Sequence, residues 1–406
     1  MKRDVIVIGG GVIGLMSAYY LTKSGRKVTI IDEGDITSNT SFGNAGMLSS
    51  FDKTPLSYPG VIAQTLKLMA KGESPAQLHF GLDWKLYRWL WKFMRNANET
   101  RMKKSMRLFE QYGQRSLDLY EQIISDENLD FDYHHDGLLM VYTEQNSFDL
   151  KVSHAQDTNR FEICDVAKTK EYLPSVNDKI KGSVLLKKNA HIDPQKVMEG
   201  MKKALKKLGV EFILNTKVTD VEFNNGKVIS VITPKDSYEA QTFVMATGYQ
   251  TLMAKKAKKD LVMTPAKGYS VTFKMPQELK PKMSTLFADM FIAFTPRKDT
   301  ARITSKLELG TTNPEVVKKQ IESIKTNFKR YTIPFEMEEQ VEWCGFRPLT
   351  PNDMPLIGKD EDYDNLVYAT GLGWLGMTFA PSIGESIANI IQKDDKSYKS
   401  FSGFYQ

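Results

Sequence analysis

The chain has 406 residues, 41% of them hydrophobic and 26% charged, which is enough for two domains with sizeable cores. No run approaches the roughly 20 uncharged apolar residues of a membrane span, and two distant cysteines fit a reducing compartment without a disulfide framework. The net charge of +6 is spread along the chain, so we expect an anionic membrane surface or substrate rather than a nucleic acid as partner.

The chain begins with a strand, a glycine-rich turn and a helix. The strand is Asp4 to Ile8, the turn reads Gly9-x-Gly11-x-x-Gly14, and the helix covers Leu15 to Ser24. A second strand, Lys27 to Ile31, ends at Asp32. This order predicts a βαβ unit that binds an adenine dinucleotide; the alternative is a tight turn in an ordinary α/β domain. Because the first strand starts so early, no signal peptide fits before it, and we expect a cytoplasmic protein.

Each residue type in this unit has a physical reason. Gly9 permits the tight turn, Gly11 lets a pyrophosphate approach the backbone, and Gly14 lets the helix pack against the sheet. The start of the helix offers free N–H groups and a positive dipole end to phosphates. Asp32 follows Gly14 by 18 residues, where a carboxylate can accept hydrogen bonds from a ribose diol.

The middle of the chain predicts a second domain. A polar loop from Thr37 to Gly46 has the small hydrogen-bonding residues of a ligand-lining segment, and residues 51 to about 130 look helical. Later strand patterns suggest an antiparallel sheet; they are Gly137 to Thr143, Tyr269 to Phe273, Phe291 to Thr295 and Arg302 to Thr304.

A second glycine turn lies near the C-terminus. A buried strand, Asn365 to Gly371, leads into Gly371-x-Gly373-x-x-Gly376, and a helix from Ala380 to Ile391 nearly completes the chain. Because no second strand with a terminal acid follows, this is not another dinucleotide site. We expect the helix start to face an anionic group bound elsewhere, which for a flavin is the pyrimidine edge of the ring. The alternative is a glycine-tolerant turn with no ligand.

Together these motifs resemble the D-amino-acid oxidase type of FAD-dependent oxidoreductase. Two further segments share the resemblance, Pro265 to Ser270 and Gly345 to Gly358. Within that family the chain is most similar to the small subunits of bacterial D-amino-acid dehydrogenases, through Tyr58-Pro-Gly60 and Leu82 to Trp91. One departure is Leu372, where many relatives carry a histidine, so a tuning role of that histidine is not expected here.

The resemblance implies a fold and its boundaries. It implies an α/β protein with a Rossmann-like FAD-binding domain interleaved with a second, α+β substrate domain on an antiparallel sheet. The FAD-binding domain would comprise residues 1–50, 190–250 and 340–406. The substrate domain would comprise residues 51–189 and 251–339.

The resemblance also implies site residues. The carboxylate of the substrate would bind Arg347, whose planar fork suits it; the alternative is an interdomain salt bridge. Tyr269 would orient the substrate, or else belong to an aromatic core. The residues expected to contact FAD are Gly9, Gly11, Val12, Ile13, Gly14, Asp32, Glu33, Ser41, Asn44, Ala45, Gly46, Met47, Val218, Thr247, Gly248, Gly371, Gly373, Trp374, Leu375, Gly376 and Met377.

The implied reaction is oxidative deamination of a D-amino acid or a proline-like imino acid. A hydride would pass from Cα to flavin N5, and the electrons would go on to a quinone or another carrier. Two alternatives stay open: an oxygen-using oxidase of the glycine or sarcosine oxidase type, and a flavin-bearing electron-transfer subunit of a larger complex. No spacing of His or Cys indicates a metal site. The oligomeric state is not determined by the sequence.

The segment Trp84 to Arg95 predicts an amphipathic helix. Trp84, Tyr87, Trp91 and Met94 repeat at helical spacing, with Leu86, Leu90 and Phe93 beside them, opposite a basic stripe of Lys85, Arg88, Lys92 and Arg95. This pattern suits a helix lying on an anionic membrane surface, here the inner face of the cell membrane. The alternative is an ordinary helix packed on the second domain.

Overall fold

The computed structural model describes residues 3–37, 39–70, 74–79, 81 and 83–405; Ser38 and Leu82 of the predicted motifs lie outside this part of the chain. The strands are β1 Arg3–Ile8, β2 Val28–Ile31, β3 Met47–Leu48, β4 Ala76–Leu78, β5 Leu138–Tyr142, β6 Phe161–Cys164, β7 Gly182–Leu186, β8 Ala190–His191, β9 Glu211–Ile213, β10 Asp220–Asn224, β11 Lys227–Ile232, β12 Ser237–Met245, β13 Thr264–Lys274, β14 Ser284–Phe287, β15 Ile292–Pro296, β16 Ala301–Leu309, β17 Glu338–Leu349, β18 Leu356–Lys359 and β19 Leu366–Thr370.

The helices lie between and beside these strands. They are α1 Val12–Lys23, α2 Val61–Ala70, α3 Trp84–Asn96, α4 Glu99–Glu127, α5 Gln145–His154, α6 Val166–Tyr172, α7 Pro194–Lys207, α8 Leu252–Lys256, α9 Lys318–Lys329 and α10 Gly376–Lys393, with 3₁₀ turns at Gln277–Leu279, Ser397–Ser400 and Gly403–Tyr405.

The first sheet is built around parallel strands. Its order is β10-β11-β12-β1-β2-β9, with β19 beside β12 and β18 beside β19. The central strands are buried runs of Val and Ile, as expected where helices such as α1 and α10 cover a parallel sheet. Ile8 pairs with Ile31 at the carboxyl ends of β1 and β2. Gly9 and Asp32, which follow those two residues, therefore meet at one edge of the sheet.

The second sheet is mainly antiparallel. Its order is β17-β13-β16-β15-β14-β5-β7-β6, with β4 beside β16. Its core is rich in aromatic rings: Phe273, Phe287, Phe294 and Phe328 are fully buried and lie in one apolar cluster. The fold therefore confirms the predicted combination of a Rossmann-like sheet and an antiparallel one.

The predicted domain boundaries stay a prediction, but the sheets show where individual strands belong. Strand β17, Glu338–Leu349, pairs with β13 in the antiparallel sheet, although the predicted FAD-binding segment starts at residue 340. Strands β18 and β19 pair within the first sheet. The chain thus passes from the second sheet to the first after Leu349, a few residues beyond Arg347.

Candidate active site

A cavity of about 1000 Å³ is bordered by both large sheets and by helices α2 and α3. It brings together most of the residues predicted from the sequence. Those lining it are Gly9, Gly11, Val12, Ile13, Asp32, Glu33, Ser41, Asn44, Ala45, Met47, Val218, Thr247, Gly248, Arg347, Gly373, Trp374, Leu375, Gly376 and Met377. Gly14, Gly46 and Gly371 belong to the backbone beside the lining residues but do not line the cavity themselves. Tyr269 does not line it either.

The glycine turn after β1 leaves no room for a side chain at Gly9 or Gly14. Gly9 has φ +101°, and a Cβ there would lie 2.3 Å from the carbonyl oxygen of Ala246. A Cβ on Gly14 would lie 1.9 Å from the carbonyl oxygen of Gly9. Helix α1 begins at Val12 without a side-chain cap, and the Val12 N–H donates to Ser41 Oγ at 3.1 Å. The turn and the first residues of α1 therefore border the cavity closely through their backbone, as a phosphate site requires.

Two backbone groups hold the carboxylate of Asp32 at the far end of this turn. Its Oδ2 accepts from the Gly10 N–H at 2.5 Å and its Oδ1 accepts from the Gly34 N–H at 2.8 Å. The side chain lines the cavity beside Val218. An ionised carboxylate has further lone pairs, so it can still accept from the hydroxyl groups of a ribose.

The loop that follows is tied to the second sheet by a buried arginine. Arg302 Nη1 donates to the carbonyl oxygens of Phe42 at 2.9 Å and Asn44 at 2.8 Å. Its Nε donates to Thr272 Oγ1 at 2.8 Å. Burial lowers the pKa of Arg302 to about 9, a value at which the guanidinium is still charged at neutral pH. The loop that carries Ser41 is therefore held in place by the antiparallel sheet.

The C-terminal glycine turn is attached to the end of strand β17. Gly371 and Gly373 have φ +76° and +53°, a backbone region that favours glycine. Leu372 forms an isolated bridge with Leu349, and the Gly373 N–H donates to the Pro348 carbonyl at 3.0 Å. Helix α10 then starts at Gly376 without a side-chain cap. Its first residues, Gly376 to Thr378, line the same cavity as Arg347.

Arg347 places an unneutralised cation on the cavity wall. Its Nη1 donates to the Lys306 carbonyl at 2.9 Å, and no acidic side chain of the described residues lies within ion-pair distance of it. Removal from bulk water lowers its pKa to about 10, so it stays charged at neutral pH. Because it pairs with no carboxylate in the described part of the chain, the structure does not support the interdomain salt bridge that was the alternative for this residue.

Gly268 makes the space for Arg347, a role that sequence reasoning missed. A Cβ on Gly268 would lie 2.3 Å from Arg347 Nη2. Neighbouring residues of a strand face opposite sides, and Tyr269 points the other way. Its ring is fully buried, and its hydroxyl donates to Glu308 at 3.1 Å. The structure therefore does not bring Tyr269 to the cavity, and it occupies an aromatic and polar core instead.

Lys53, Asp353 and Trp374 form a second cluster that the sequence did not reveal. Lys53 Nζ lies 3.7 Å from the centroid of the Trp374 ring, and both residues line the cavity. Asp353 is buried and accepts from the Leu56 N–H. Burial lowers the pKa of Lys53 to about 7 and raises the pKa of Asp353 to about 7. Lys53 is 300 positions before Asp353 in the sequence, so no local spacing could have predicted the cluster.

The comparisons with known proteins agree with this geometry. A family model described as FAD dependent oxidoreductase matches residues 4–390. The chain belongs to this family. Its cofactor is accordingly FAD, and the predicted family membership is confirmed.

Relatives and solved structures cover nearly the whole of this FAD-dependent oxidoreductase. It is 53% identical over 392 residues to a D-amino acid dehydrogenase of Helicobacter pylori, covering 97% of this chain and 95% of the relative. It is 28% identical to a D-amino acid dehydrogenase of Vibrio atlanticus, covering 98% of both chains. The fold is shared with glycine oxidase from Geobacillus kaustophilus, at a TM-score of 0.76, 18% identity and coverage of 99% and 98%. The fold is also shared with L-proline dehydrogenase from P. horikoshii, at a TM-score of 0.72 and 18% identity; the match covers 98% of this chain and 95% of that one.

The residues around the cavity fit FAD. The start of α1, whose N-cap residue Gly11 has no side chain, and the turn at Gly9 suit the pyrophosphate, and Asp32 suits the ribose. Gly248 lines the cavity, and a Cβ built on it would have no other atom within 4 Å apart from its chain neighbours, so there is open space beside it. The uncapped start of α10 suits the pyrimidine edge of the flavin, where negative charge collects on reduction.

Proposed function

We propose that the protein oxidises a D-amino acid or a proline-like imino acid and passes the electrons to a quinone or another carrier. The observation that carries the proposal is the guanidinium of Arg347, which has no carboxylate partner among the described residues. Arg347 lies on β17, the strand that contacts the C-terminal glycine turn through Pro348 and Leu349. The D-amino acid dehydrogenases among the relatives support the substrate class.

The residues of the chain have defined parts in this proposal. Arg347 binds the substrate carboxylate with two parallel charge-assisted hydrogen bonds, and the Lys306 carbonyl keeps the guanidinium in position. Bound FAD supplies the acceptor for the hydride that leaves Cα. The apolar walls of the cavity keep water away from the reacting carbon. The imine product hydrolyses in water to a 2-oxo acid and ammonia, or remains a cyclic imine when the substrate is proline-like.

The test is anaerobic bleaching of the bound flavin by a panel of candidate substrates. The panel comprises D-amino acids, their L-isomers, D-proline, hydroxyproline isomers, glycine and sarcosine. We expect bleaching by D-isomers or D-proline. Bleaching by glycine and sarcosine alone, together with fast reoxidation in air, would favour the oxidase alternative. Absence of bleaching by every compound would favour an electron-transfer subunit.

We further propose that helix α3 lies on a membrane surface. Its side chains Leu86 and Trp89 are buried in the protein, whereas Trp84, Tyr87, Trp91 and Met94 are 78%, 38%, 50% and 51% exposed. The helix thus packs on the protein through one face and leaves a second aromatic face in solvent. No helix within the described residues has the length and apolar character needed to cross a bilayer.

Cations beside this face support an anionic membrane as its partner. Lys85 is exposed and Lys92 is half-buried, while Arg88 is already paired with Asp260. Aromatic rings with neighbouring cations suit an interface with anionic headgroups. Sedimentation with anionic vesicles should weaken in salt and with Lys85→Glu/Lys92→Glu, but not with Lys104→Glu, an exposed control on α4. Equal recovery in the supernatant with and without vesicles would contradict this proposal.

A further inference from the structure

The cavity that holds the site also reaches the surface at helices α2 and α3. Ile62 and Leu66 of α2 and Met94 of α3 are 40%, 60% and 51% exposed. The same three side chains line the cavity that contains Gly9, Trp374 and Arg347. Residues that belong to both the outer surface and the cavity wall mark an opening. We name this opening the apolar mouth and define it by Ile62, Leu66, Leu90, Phe93 and Met94.

All five residues that define the apolar mouth are apolar, and Gln64 and Thr65 of α2 are polar residues that also line the cavity. Leu78, Leu307 and Leu309 continue its wall inward from the strands β4 and β16. The neighbouring cations Lys67, Lys85, Lys92 and Arg95 are not part of the lining. A zwitterionic amino acid would lose its hydration along such a wall without compensating hydrogen bonds, which is costly. A lipophilic ring with an apolar tail would instead gain free energy from burial there.

The mouth also adjoins the exposed aromatic face of α3. Trp84, Tyr87 and Trp91 are exposed on this helix but do not line the cavity, whereas Met94 belongs to both. If the aromatic face of α3 lies among lipid headgroups, the adjoining apolar mouth opens toward the acyl chains of the membrane rather than toward bulk water.

From this continuity we infer that the apolar mouth admits a lipid-soluble quinone to the flavin end of the cavity. The inference rests on the proposed function and locates its electron acceptor. Oxidation of the substrate to the imine releases two electrons and two protons. The quinone gains both electrons and both protons and becomes the quinol, while FAD returns to its oxidised form. No other oxidant is required.

The experiment separates the two half-reactions of the FAD-loaded protein. Leu66→Gln/Met94→Gln makes the mouth polar at two exposed positions. Leu150→Gln is the matched control, because Leu150 is 62% exposed but lies outside the cavity lining. Trp91→Gln is the control for membrane contact. Each protein is reduced anaerobically with dithionite and then mixed, in the absence of lipid, with a one-isoprene ubiquinone or with ferricyanide.

We expect the mouth variant to be reoxidised by the quinone at least about tenfold more slowly, and by ferricyanide at the normal rate. Both controls should behave like the wild type. Unchanged reoxidation by the quinone would overturn the inference. Reduction by dithionite makes the result independent of the amino-acid substrate, so failure of the D-amino-acid panel and failure of the quinone assignment can be told apart.

Photolabelling of the wild-type protein locates the quinone without relying on a variant whose substitutions could disturb the whole site. The wild-type protein is irradiated with an azido-quinone, and the labelled peptides are identified by mass spectrometry. We expect labels on peptides containing 61–66 and 90–94, with competition by excess ubiquinone. Labels confined to other peptides would overturn the inference, even if the mouth variant reacted slowly.

Discussion

The guanidinium of Arg347 occupies the space in which a side chain on Gly268 would begin. The two residues lie on paired strands, β17 and β13, and the first carbon of any side chain at position 268 would lie 2.3 Å from Arg347 Nη2. Gly268 does not have a positive φ, so its backbone accepts other residues. The absence of a side chain at this position is therefore a condition for the placement of Arg347, the proposed carboxylate-binding residue, rather than for the fold.

Gly268→Ala should damage catalysis more than stability. The new methyl group displaces the end of a flexible side chain, which costs the fold little, but it moves the carboxylate-binding group. A misplacement of about 1 Å can cost up to about 100-fold in rate, so we expect kcat/KM to fall at least about tenfold at an unchanged melting temperature. Gly81→Ala is the matched control, since a Cβ there meets nothing within 4 Å. Normal kinetics for Gly268→Ala would show that substrate does not bind at Arg347.

Arg347→Ala should slow flavin reduction without loss of FAD. Losing a buried charge-assisted pair costs roughly 2–5 kcal/mol, which corresponds to about 30-fold to about 4000-fold in kcat/KM. Arg347→Lys should recover only part of this, because a point charge cannot reproduce the planar fork. Stopped-flow reduction by the best D-amino acid measures both effects. Reduction of the alanine variant at a near-normal rate would place the carboxylate elsewhere.

Arg302→Met should weaken FAD binding from outside the cavity. The substitution keeps much of the side-chain volume but removes the hydrogen bonds to the carbonyls of Phe42 and Asn44, each worth about 1.5–3 kcal/mol when the donor is charged. The loop carrying Ser41 then loses two hydrogen bonds to the second sheet but keeps the one that Thr40 Oγ1 donates to the Phe346 carbonyl at 3.1 Å. We expect the Kd for FAD to rise at least about tenfold in a titration of the FAD-free protein. Unaltered affinity would mean that the other contacts of the loop are enough to hold it.

FAD should be bound without a covalent link through Cys344. This cysteine lies three residues before Arg347, but its Sγ donates to the Pro314 carbonyl at 3.1 Å and is not part of the cavity lining. Acid precipitation should leave the yellow colour in the supernatant. A yellow pellet would contradict the prediction, and Cys344→Ser would then show whether this residue carries the link.

Lys53 and Asp353 should lower the free energy of unfolding of the FAD-free protein, and the loss should be largest near pH 7. The reference is a variant that lacks both charged groups. The folded-state pKa of Asp353 is raised to about 7 and that of Lys53 is lowered to about 7. Below pH 7 the folded protein retains a proton on Asp353 that the unfolded chain has lost, so stability falls as pH rises toward 7. Above pH 7 the unfolded chain binds a proton on Lys53 that the folded protein lacks, so stability rises with pH.

Urea unfolding of the wild type and of Lys53→Met/Asp353→Asn at pH 5, 7 and 9 measures this effect. The double variant removes both titrations, so its gain in free energy of unfolding over the wild type should be largest at pH 7. A difference that is the same at all three pH values would show that neither group changes its pKa on folding.

Local patterns explain why much of the site was predictable. The turns at Gly9 and Gly371 depend on residues a few positions apart, and their backbone requirements are visible in the sequence itself. Tyr269 marks the limit of such reasoning. Strand periodicity shows that residues 268 and 269 face opposite sides, but only the packed structure shows which side borders the cavity. The contacts of Arg302 with the loop, like those of Lys53 with Trp374, join distant segments and follow from tertiary packing alone.

The backbone carbonyl of Leu349 connects helix α3 to strand β17 beside the cavity. Trp89 Nε1 of α3 donates to the Leu349 carbonyl at 2.8 Å, and Leu349 is also the bridge partner of Leu372 in the C-terminal glycine turn. Arg347 lies two residues earlier on the same strand. We therefore expect a displacement of α3 that stretches this hydrogen bond to shift the end of β17 and the turn at Leu372 together. If α3 lies on a membrane as proposed, binding to that surface should change the rate of oxidation.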